Sequence, residues 1–113
     1  MQFDEYQALS ARTAGGFEEK DRVHWTLITT LGLAGESGEV ADLLKKVYGH
    51  GHPLDEAKLK KELGDVLWYL ADICTKFKFS LNEIAQLNVD KLKARYPEGF
   101  DPSKSQNRKA GDV

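Results

Sequence analysis

Apolar residues recur along most of this chain at intervals of three and four, which is the spacing of amphipathic α-helices. The pattern is clearest in one segment, where steps of four and three alternate through Leu59, Leu63, Val66, Leu70, Ile73 and Phe77. No segment shows the period of two of a strand, and no Asn-Gly or Asp-Gly turn joins two apolar segments. The sequence therefore predicts an all-α protein.

Glycine, proline and capping residues divide the pattern into four helices. The predicted helices are about Phe3 to Ala14, about Arg22 to Tyr48, a third capped by Asp55 that carries the apolar seam to Phe77, and a fourth from the capping box Ser80-Leu-Asn-Glu83 to Arg95. The segment 49–53, Gly-His-Gly-His-Pro, separates the second helix from the third. We predict one helical domain over residues 1–100 and a polar, flexible C-terminal tail over 101–113.

Composition and net charge argue against nucleic acids and membranes as partners. The 113 residues include 30% charged residues with a net charge of -2, which does not suggest nucleic-acid binding. No apolar run approaches the roughly 20 residues that span a bilayer, and the first residues do not resemble a signal peptide. We therefore expect a cytoplasmic protein without a membrane partner. The single cysteine, Cys74, lies among apolar residues and is predicted to be a buried, inert thiol.

Two acidic pairs carry the candidate chemistry. Glu36 and Glu39, and likewise Glu62 and Asp65, are three residues apart, so each pair shares one helix face. Antiparallel packing of the second and third helices would bring the pairs face to face. Four carboxylates beside a core repel one another unless a cation or a shared proton neutralises them. Oxygen ligands suit Mg²⁺ or Mn²⁺, which predicts a magnesium-dependent enzyme acting on a phosphate ester or anhydride.

Less specific explanations of the two acidic pairs stay open. Acidic pairs are common on solvated helix faces, and either pair taken alone is better explained in that way. The Glu-x-x-His motifs of di-iron bundles and the His-Glu-x-x-His motif of zinc enzymes are absent. Four glycines accompany the acids, at positions 32, 35, 38 and 64, although glycine inside a helix costs about 1 kcal/mol relative to alanine. They indicate a close approach of the two helix backbones or, alternatively, a kink.

The acidic motifs also carry a family resemblance. Its segments are Gly32-Leu-Ala-Gly-Glu-Ser-Gly-Glu-Val40, Lys61-Glu-Leu-Gly-Asp-Val-Leu-Trp-Tyr-Leu70, Asn88-Val-Asp-Lys91-Leu and Arg95-Tyr-Pro-Glu-Gly-Phe100. They resemble the MazG-like family of all-α nucleoside triphosphate pyrophosphohydrolases. The resemblance implies a four-helix-bundle-like fold, a homodimer or dimer-of-dimers tetramer, and Mg²⁺ with Mn²⁺ as a substitute. It implies hydrolysis of ribo- or deoxyribonucleoside triphosphates between the α and β phosphates, giving a monophosphate and pyrophosphate, as in nucleotide-pool house-cleaning.

The resemblance also implies the site residues. Glu36, Glu39, Glu62 and Asp65 correspond to the family's metal ligands, with Glu39, or Glu36 through a bound water, as the catalytic base. One departure concerns Gly35, because many members carry a further glutamate there. That difference leaves the number of metal ions open.

Five further residues are candidates for substrate binding: Lys46, Tyr69, Asn88, Lys91 and Arg95. The lysine at 46 lies seven residues after Glu39, near the same helix face, and could meet a phosphate. The aromatic ring at 69 shares the face of Asp65 and could stack on a base. The three residues of the fourth helix share a face that could bind sugar or phosphate. A solvated surface explains the lysine and this polar stripe as well.

Two other functions stay open. The missing carboxylate at Gly35 is compatible with a non-catalytic nucleotide-binding or oligomerisation module, and the motifs also fit a pyrophosphohydrolase of a specialised substrate such as phosphoribosyl-ATP or dUTP. Because so short a bundle does not enclose a nucleotide alone, we predict a homo-oligomer with Trp68 or Phe77 buried between subunits. Asp72, seven residues after Asp65, could extend the acidic face, but it is preferentially interpreted as a solvated acid.

Overall fold

A computed structural model describes all 113 residues, and it is helical throughout, without a strand. The helices are α1 (Phe3–Ala11), α2 (Arg22–His50), α3 (Glu56–Lys76), α4 (Leu81–Arg95) and α5 (Pro102–Gln106), with a single 3₁₀ turn at Glu19–Asp21. This confirms the all-α class. No helix is long and apolar enough to cross a membrane.

The helix ends follow the capping signals closely. The Asp55 side chain accepts a hydrogen bond from the Lys58 amide at 3.0 Å, as its predicted capping role requires. Helix α2 continues two residues beyond Tyr48 and ends where Gly51 adopts a φ of 75°. Helix α1 ends earlier than predicted, at Ala11, because the next residues form tight turns rather than a further helical turn.

Helices α2 and α3 form an antiparallel hairpin around the loop of residues 51–55, and this hairpin positions the acidic pairs. Helix α1 packs across α3 and α4. It is tied to the turn between them by Gln7, whose Nε2 donates to the Phe79 carbonyl and whose Oε1 accepts from the Leu81 amide, both at 2.9 Å. The N-terminal helix therefore holds α4 beside the end of α3.

The core of a single chain is small. Three apolar residues are buried, Ala71, Cys74 and Leu81, and Tyr6, Leu67 and Ile84 pack around them. The prediction of a buried thiol is confirmed, and burial raises the pKa of Cys74. The radius of gyration is 17.3 Å, whereas a compact chain of this length has about 13 Å. Much of the apolar surface therefore lacks a partner within one chain.

An unpartnered apolar surface runs along α2. Val23, Leu27 and Leu31 are 75%, 55% and 69% exposed, and their spacing of four aligns them in one stripe. Gly38 lies on the same side, and nothing lies within 4 Å of the position that its Cβ would take. We call this surface the α2 stripe.

Asp72 is buried, so its interpretation as a solvated acid is wrong. Its side chain is 4% exposed, and both carboxylate oxygens lie 2.6 Å from Nζ of Lys76, one helical turn later. That ammonium group also lies 5.3 Å from the centre of the Trp25 ring, which α2 contributes. Trp25 thus lies over the ion pair, in a contact between helices that the spacing within α3 does not reveal.

Candidate metal centre

Three of the four predicted metal ligands meet across the α2–α3 hairpin. Glu36 faces Glu62 and Asp65, and the three side chains each offer an oxygen within 4.8 Å of the others. Glu36 and Glu62 are half-buried, whereas Asp65 is exposed. The antiparallel packing of two helices, each with acids on the facing surface, is what brings them together.

The electrostatics of this cluster favour a cation. The pKa of Glu36 is raised, first by desolvation and then by the negative charges of Asp65, Glu62 and Glu39. A carboxylate in this position is stabilised by a proton or by a metal ion. The donor set consists of carboxylate oxygens alone, which fits a hard divalent cation. The residues present are therefore suitable for holding such an ion.

Glu39 lies outside the group of three but beside it. Its side chain is exposed and lines a cavity of about 300 Å³ together with Glu62 and Lys46. Its charge raises the pKa of Glu36, and it also raises that of Lys46. The fourth predicted ligand, Glu39, therefore lies beside the three-carboxylate group, with its side chain exposed to solvent.

Lys46 shares this cavity with the acids. Its Nζ lies 2.8 Å from a carboxylate oxygen of Asp42, and that hydrogen bond is the main reason why the pKa of Lys46 is raised. Lys58 lines the same cavity from α3. The structure therefore places two ammonium groups beside the acidic pairs, of which the sequence suggested Lys46 and missed Lys58.

Tyr69 lies on the other side of the cluster. It lines a cavity of about 290 Å³ with Glu36, Asp65 and Trp68. Its ring packs directly against Gly32, where any Cβ atom would clash with the aromatic carbons. Gly32 therefore lies at a close approach, but the neighbour is a side chain and not the second helix backbone that the sequence analysis predicted. That prediction is wrong for Gly35, Gly38 and Gly64, which face open space within the chain.

Helix α1 and the turn that follows it add two contacts that the sequence did not indicate. The Trp68 indole donates a hydrogen bond to Oγ1 of Thr13 at 2.9 Å, and its ring meets Tyr69 edge-on at 5.0 Å. The pKa of Tyr6 is raised by burial and by the charge of Asp65. Tyr6 is thus a neighbour of the acidic cluster. Its position depends on how α1 packs across α3, and periodicity along α1 carries no signal of that.

The three candidates on α4 are separate from the acids within one chain. Asn88 and Lys91 are exposed, and Arg95 binds the carboxylate of Asp112. Lys91 and Arg95 line a cavity of about 400 Å³ whose other walls come from residues 94–112, and none of the acidic pairs contributes to it. The structure therefore brings Lys46 and Tyr69 to the cluster but leaves the three candidates on α4 apart from it.

Comparison with known proteins decides the family. The sequence profile of the MazG nucleotide pyrophosphohydrolase domain matches residues 26–100, a range that includes both acidic pairs and α4. The chain belongs to the MazG family. The resemblance expected from the motifs is thereby confirmed, and membership indicates a nucleotide pyrophosphohydrolase. MazG proteins are generally metal-dependent, which agrees with the carboxylate cluster.

A curated relative provides a second comparison. The chain is 32% identical to the "Gene 37 protein" of Mycobacterium phage L5 over 114 residues, which cover 96% of this chain and 100% of the phage protein. That name states no activity. No solved structure matches the chain significantly.

Proposed function

We propose that the protein hydrolyses nucleoside triphosphates, ribo- or deoxyribo-, between the α and β phosphates in a magnesium-dependent reaction. The observation that carries this proposal is the meeting of Glu36, Glu62 and Asp65 within 4.8 Å in a chain of the MazG family. The products would be a nucleoside monophosphate and pyrophosphate. Such a reaction would suit the removal of unwanted nucleotides.

The chain's own residues suggest a division of roles. Glu36, Glu62 and Asp65 would hold Mg²⁺, for which Mn²⁺ is a substitute, and Glu39 would complete the set directly or through water. When bound, the cation supplies charge stabilisation on phosphoryl oxygens and lowers the pKa of water. Lys46 would neutralise a phosphate from the cavity it shares with Glu39.

The base is best assigned to Glu39. Its carboxylate is exposed and lies outside the three-carboxylate group, so an oxygen that does not bind the ion directly can accept a proton from an attacking water. Glu36 acting through a bound water is the alternative, since its pKa is already raised. At Gly35, nothing lies within 4 Å of the position that a Cβ atom would take, so the glutamate that many family members carry there would find its Cβ position open.

A homo-oligomer would complete the site. In one chain the α4 residues Asn88, Lys91 and Arg95 stand apart from the acids, and the α2 stripe is unpartnered. We propose a dimer, or a dimer of dimers, that buries this stripe and brings α4 of one copy to the acids of another. Light scattering is expected to give a mass of at least twice 12.7 kDa, and a monomer at micromolar concentration would contradict this arrangement.

The interface residues suggested by the sequence fit this assembly unequally. Trp68 is half-buried and already hydrogen-bonded to Thr13. Phe77 is 36% exposed, stacks on Phe79 and has the Arg22 guanidinium 4.7 Å above its ring. The α2 stripe is more exposed than either and better suited to the centre of an interface.

The test is pyrophosphate release from a panel of ribo- and deoxyribonucleoside triphosphates, with and without Mg²⁺. We expect release that requires the metal and that Glu39→Gln lowers by about 10²- to 10⁴-fold, the usual contribution of a general base. Glu98→Gln is the matched control, because Glu98 is exposed and lies outside the site.

The panel also separates the alternatives. Nucleotide binding without release would favour a non-catalytic nucleotide-binding or oligomerisation module. Release confined to dUTP, or to phosphoribosyl-ATP added to the panel, would identify a specialised pyrophosphohydrolase. Full activity of Glu39→Gln would move the role of base to Glu36.

A further inference from the structure

The segment of residues 101–113 folds back on α4. Asp101 caps α5 by accepting a hydrogen bond from the Ser103 amide at 2.9 Å. Beyond α5, the Asp112 amide donates to the Lys109 carbonyl at 3.1 Å, closing a turn in which Gly111 has a φ of 85°. Glycine adopts this left-handed conformation without strain. The turn directs the side chain of Asp112 back towards Arg95.

The carboxylate of Asp112 forms an ion pair with the guanidinium group of Arg95. Nε and Nη2 of Arg95 donate to the two carboxylate oxygens at 2.9 and 2.6 Å. The Arg95 side chain is only 9% exposed and that of Asp112 18%. This is the two-pronged geometry with which arginine binds carboxylates and phosphates alike. The place where Arg95 could bind a phosphate is thus already taken by a carboxylate of the same chain, that of Asp112.

The cavity around this pair is strongly basic. It measures about 400 Å³, within the range of small-molecule sites. Five cationic side chains line it, Lys91, Arg95, Lys104, Arg108 and Lys109, against the single carboxylate of Asp112. The chain as a whole carries a net charge of -2, so this local excess runs against the overall balance. Three of the five cations come from residues 104–109 rather than from α4.

We propose that this cavity binds the di- or triphosphate group of a nucleotide or a free polyphosphate, and that Asp112 is an internal competitor which the anion displaces from Arg95. The inference rests on the proposed function for the role of the nucleotide, but the anion site itself does not require catalysis. Release of Asp112 frees the guanidinium fork, while Lys104, Arg108 and Lys109 add positive charge that α4 alone does not have. Residues 101–113 therefore both build the site and compete for it.

Calorimetric titration with inorganic tripolyphosphate tests the site directly. The titration is done in EDTA, because the acidic cluster has no affinity for an anion without metal. We expect Asp112→Asn to bind roughly two- to fivefold more tightly than wild type, the range expected on losing a competing ion pair near the surface. Glu98→Gln removes the same charge from an exposed position, so it controls for the change in net charge. Arg108→Gln is expected to weaken binding.

The outcomes separate the components of the proposal. Failure of wild type to bind tripolyphosphate, or unchanged affinity in Arg108→Gln, would overturn the anion site. Equal or weaker binding by Asp112→Asn would show that Asp112 is a structural latch and not a competitor. Tighter binding of a nucleoside triphosphate than of tripolyphosphate identifies a nucleotide site, whereas equal affinities identify a site for the phosphate chain alone.

Nuclear magnetic resonance on the wild-type protein provides a readout that needs no variant. Saturation with tripolyphosphate is expected to shift the Nε–Hε signal of Arg95 and to increase the mobility of the Asp112 amide. An unchanged Asp112 amide at saturation would contradict displacement. Because these measurements involve neither metal nor turnover, they give an answer even if no nucleotide is hydrolysed, and hydrolysis without tripolyphosphate binding would overturn this inference alone.

Discussion

Asp65→Asn is expected to lower metal-dependent pyrophosphate release by about 10²- to 10³-fold, the loss that follows when a positioned group stabilising transition-state charge is removed. Asp65 is one of the three carboxylates that meet within 4.8 Å. Asparagine keeps the shape and one oxygen ligand but removes the negative charge that attracts the cation. Steady-state release of pyrophosphate at a series of Mg²⁺ concentrations measures the effect.

Thermal unfolding separates a lost metal site from a lost fold. Asp65 raises the pKa of Glu36, so it repels that carboxylate, and Asp65→Asn is expected to unfold at the same temperature as wild type or higher in EDTA. Wild type should be stabilised by added Mg²⁺, because binding to the native state shifts the folding equilibrium. The variant should lose that stabilisation.

Asp90→Asn is the control for Asp65→Asn, because it changes an exposed acid that is hydrogen-bonded to Gln86. An active variant that still gains stability from Mg²⁺ would contradict the assignment.

Helices α1 to α4 were predictable because local signals determine them, whereas α5 lies in the segment that the sequence analysis predicted to be a flexible tail. Asp55 and Ser80 cap α3 and α4 through side-chain hydrogen bonds at 3.0 and 3.2 Å, as their positions before apolar seams suggested. The meeting of three acids was predictable for a similar reason. Once two helices are joined by a short loop, spacing within each helix determines which faces meet.

Contacts between distant helices were not predictable from the same information. The charge of Asp65 acts on Tyr6, and Trp68 binds Thr13, because α1 and the turn after it pack against α3 at one particular register. Glu39, although three residues from Glu36, lies outside the three-carboxylate group. A spacing of three identifies a shared face but does not fix the rotamers or the rotation of the helix, and these decide which oxygens converge.

The glycines illustrate the same limit. Gly32 packs against the ring of Tyr69, whereas Gly35, Gly38 and Gly64 have no atom near the position of a Cβ. The sequence indicated that the glycines needed an explanation, and a single chain provides it for one of them. Gly38 lies with the exposed α2 stripe, where the proposed second copy would supply the missing neighbour.

Lys76→Met is expected to destabilise the protein by about 3–5 kcal/mol, because it leaves a buried carboxylate without its cation. Lys76 and Asp72 are 7% and 4% exposed at their side chains, and they are joined by two contacts of 2.6 Å. Replacing both, as Asp72→Leu with Lys76→Met, should recover most of the loss, since an apolar pair of similar volume removes the desolvation cost of both charges. Urea unfolding at one fixed protein concentration measures all three variants, with Asp72→Leu as the reciprocal single change. If the double variant lost as much free energy of unfolding as the two single variants together, the two residues would not interact as a pair, and the prediction would be contradicted.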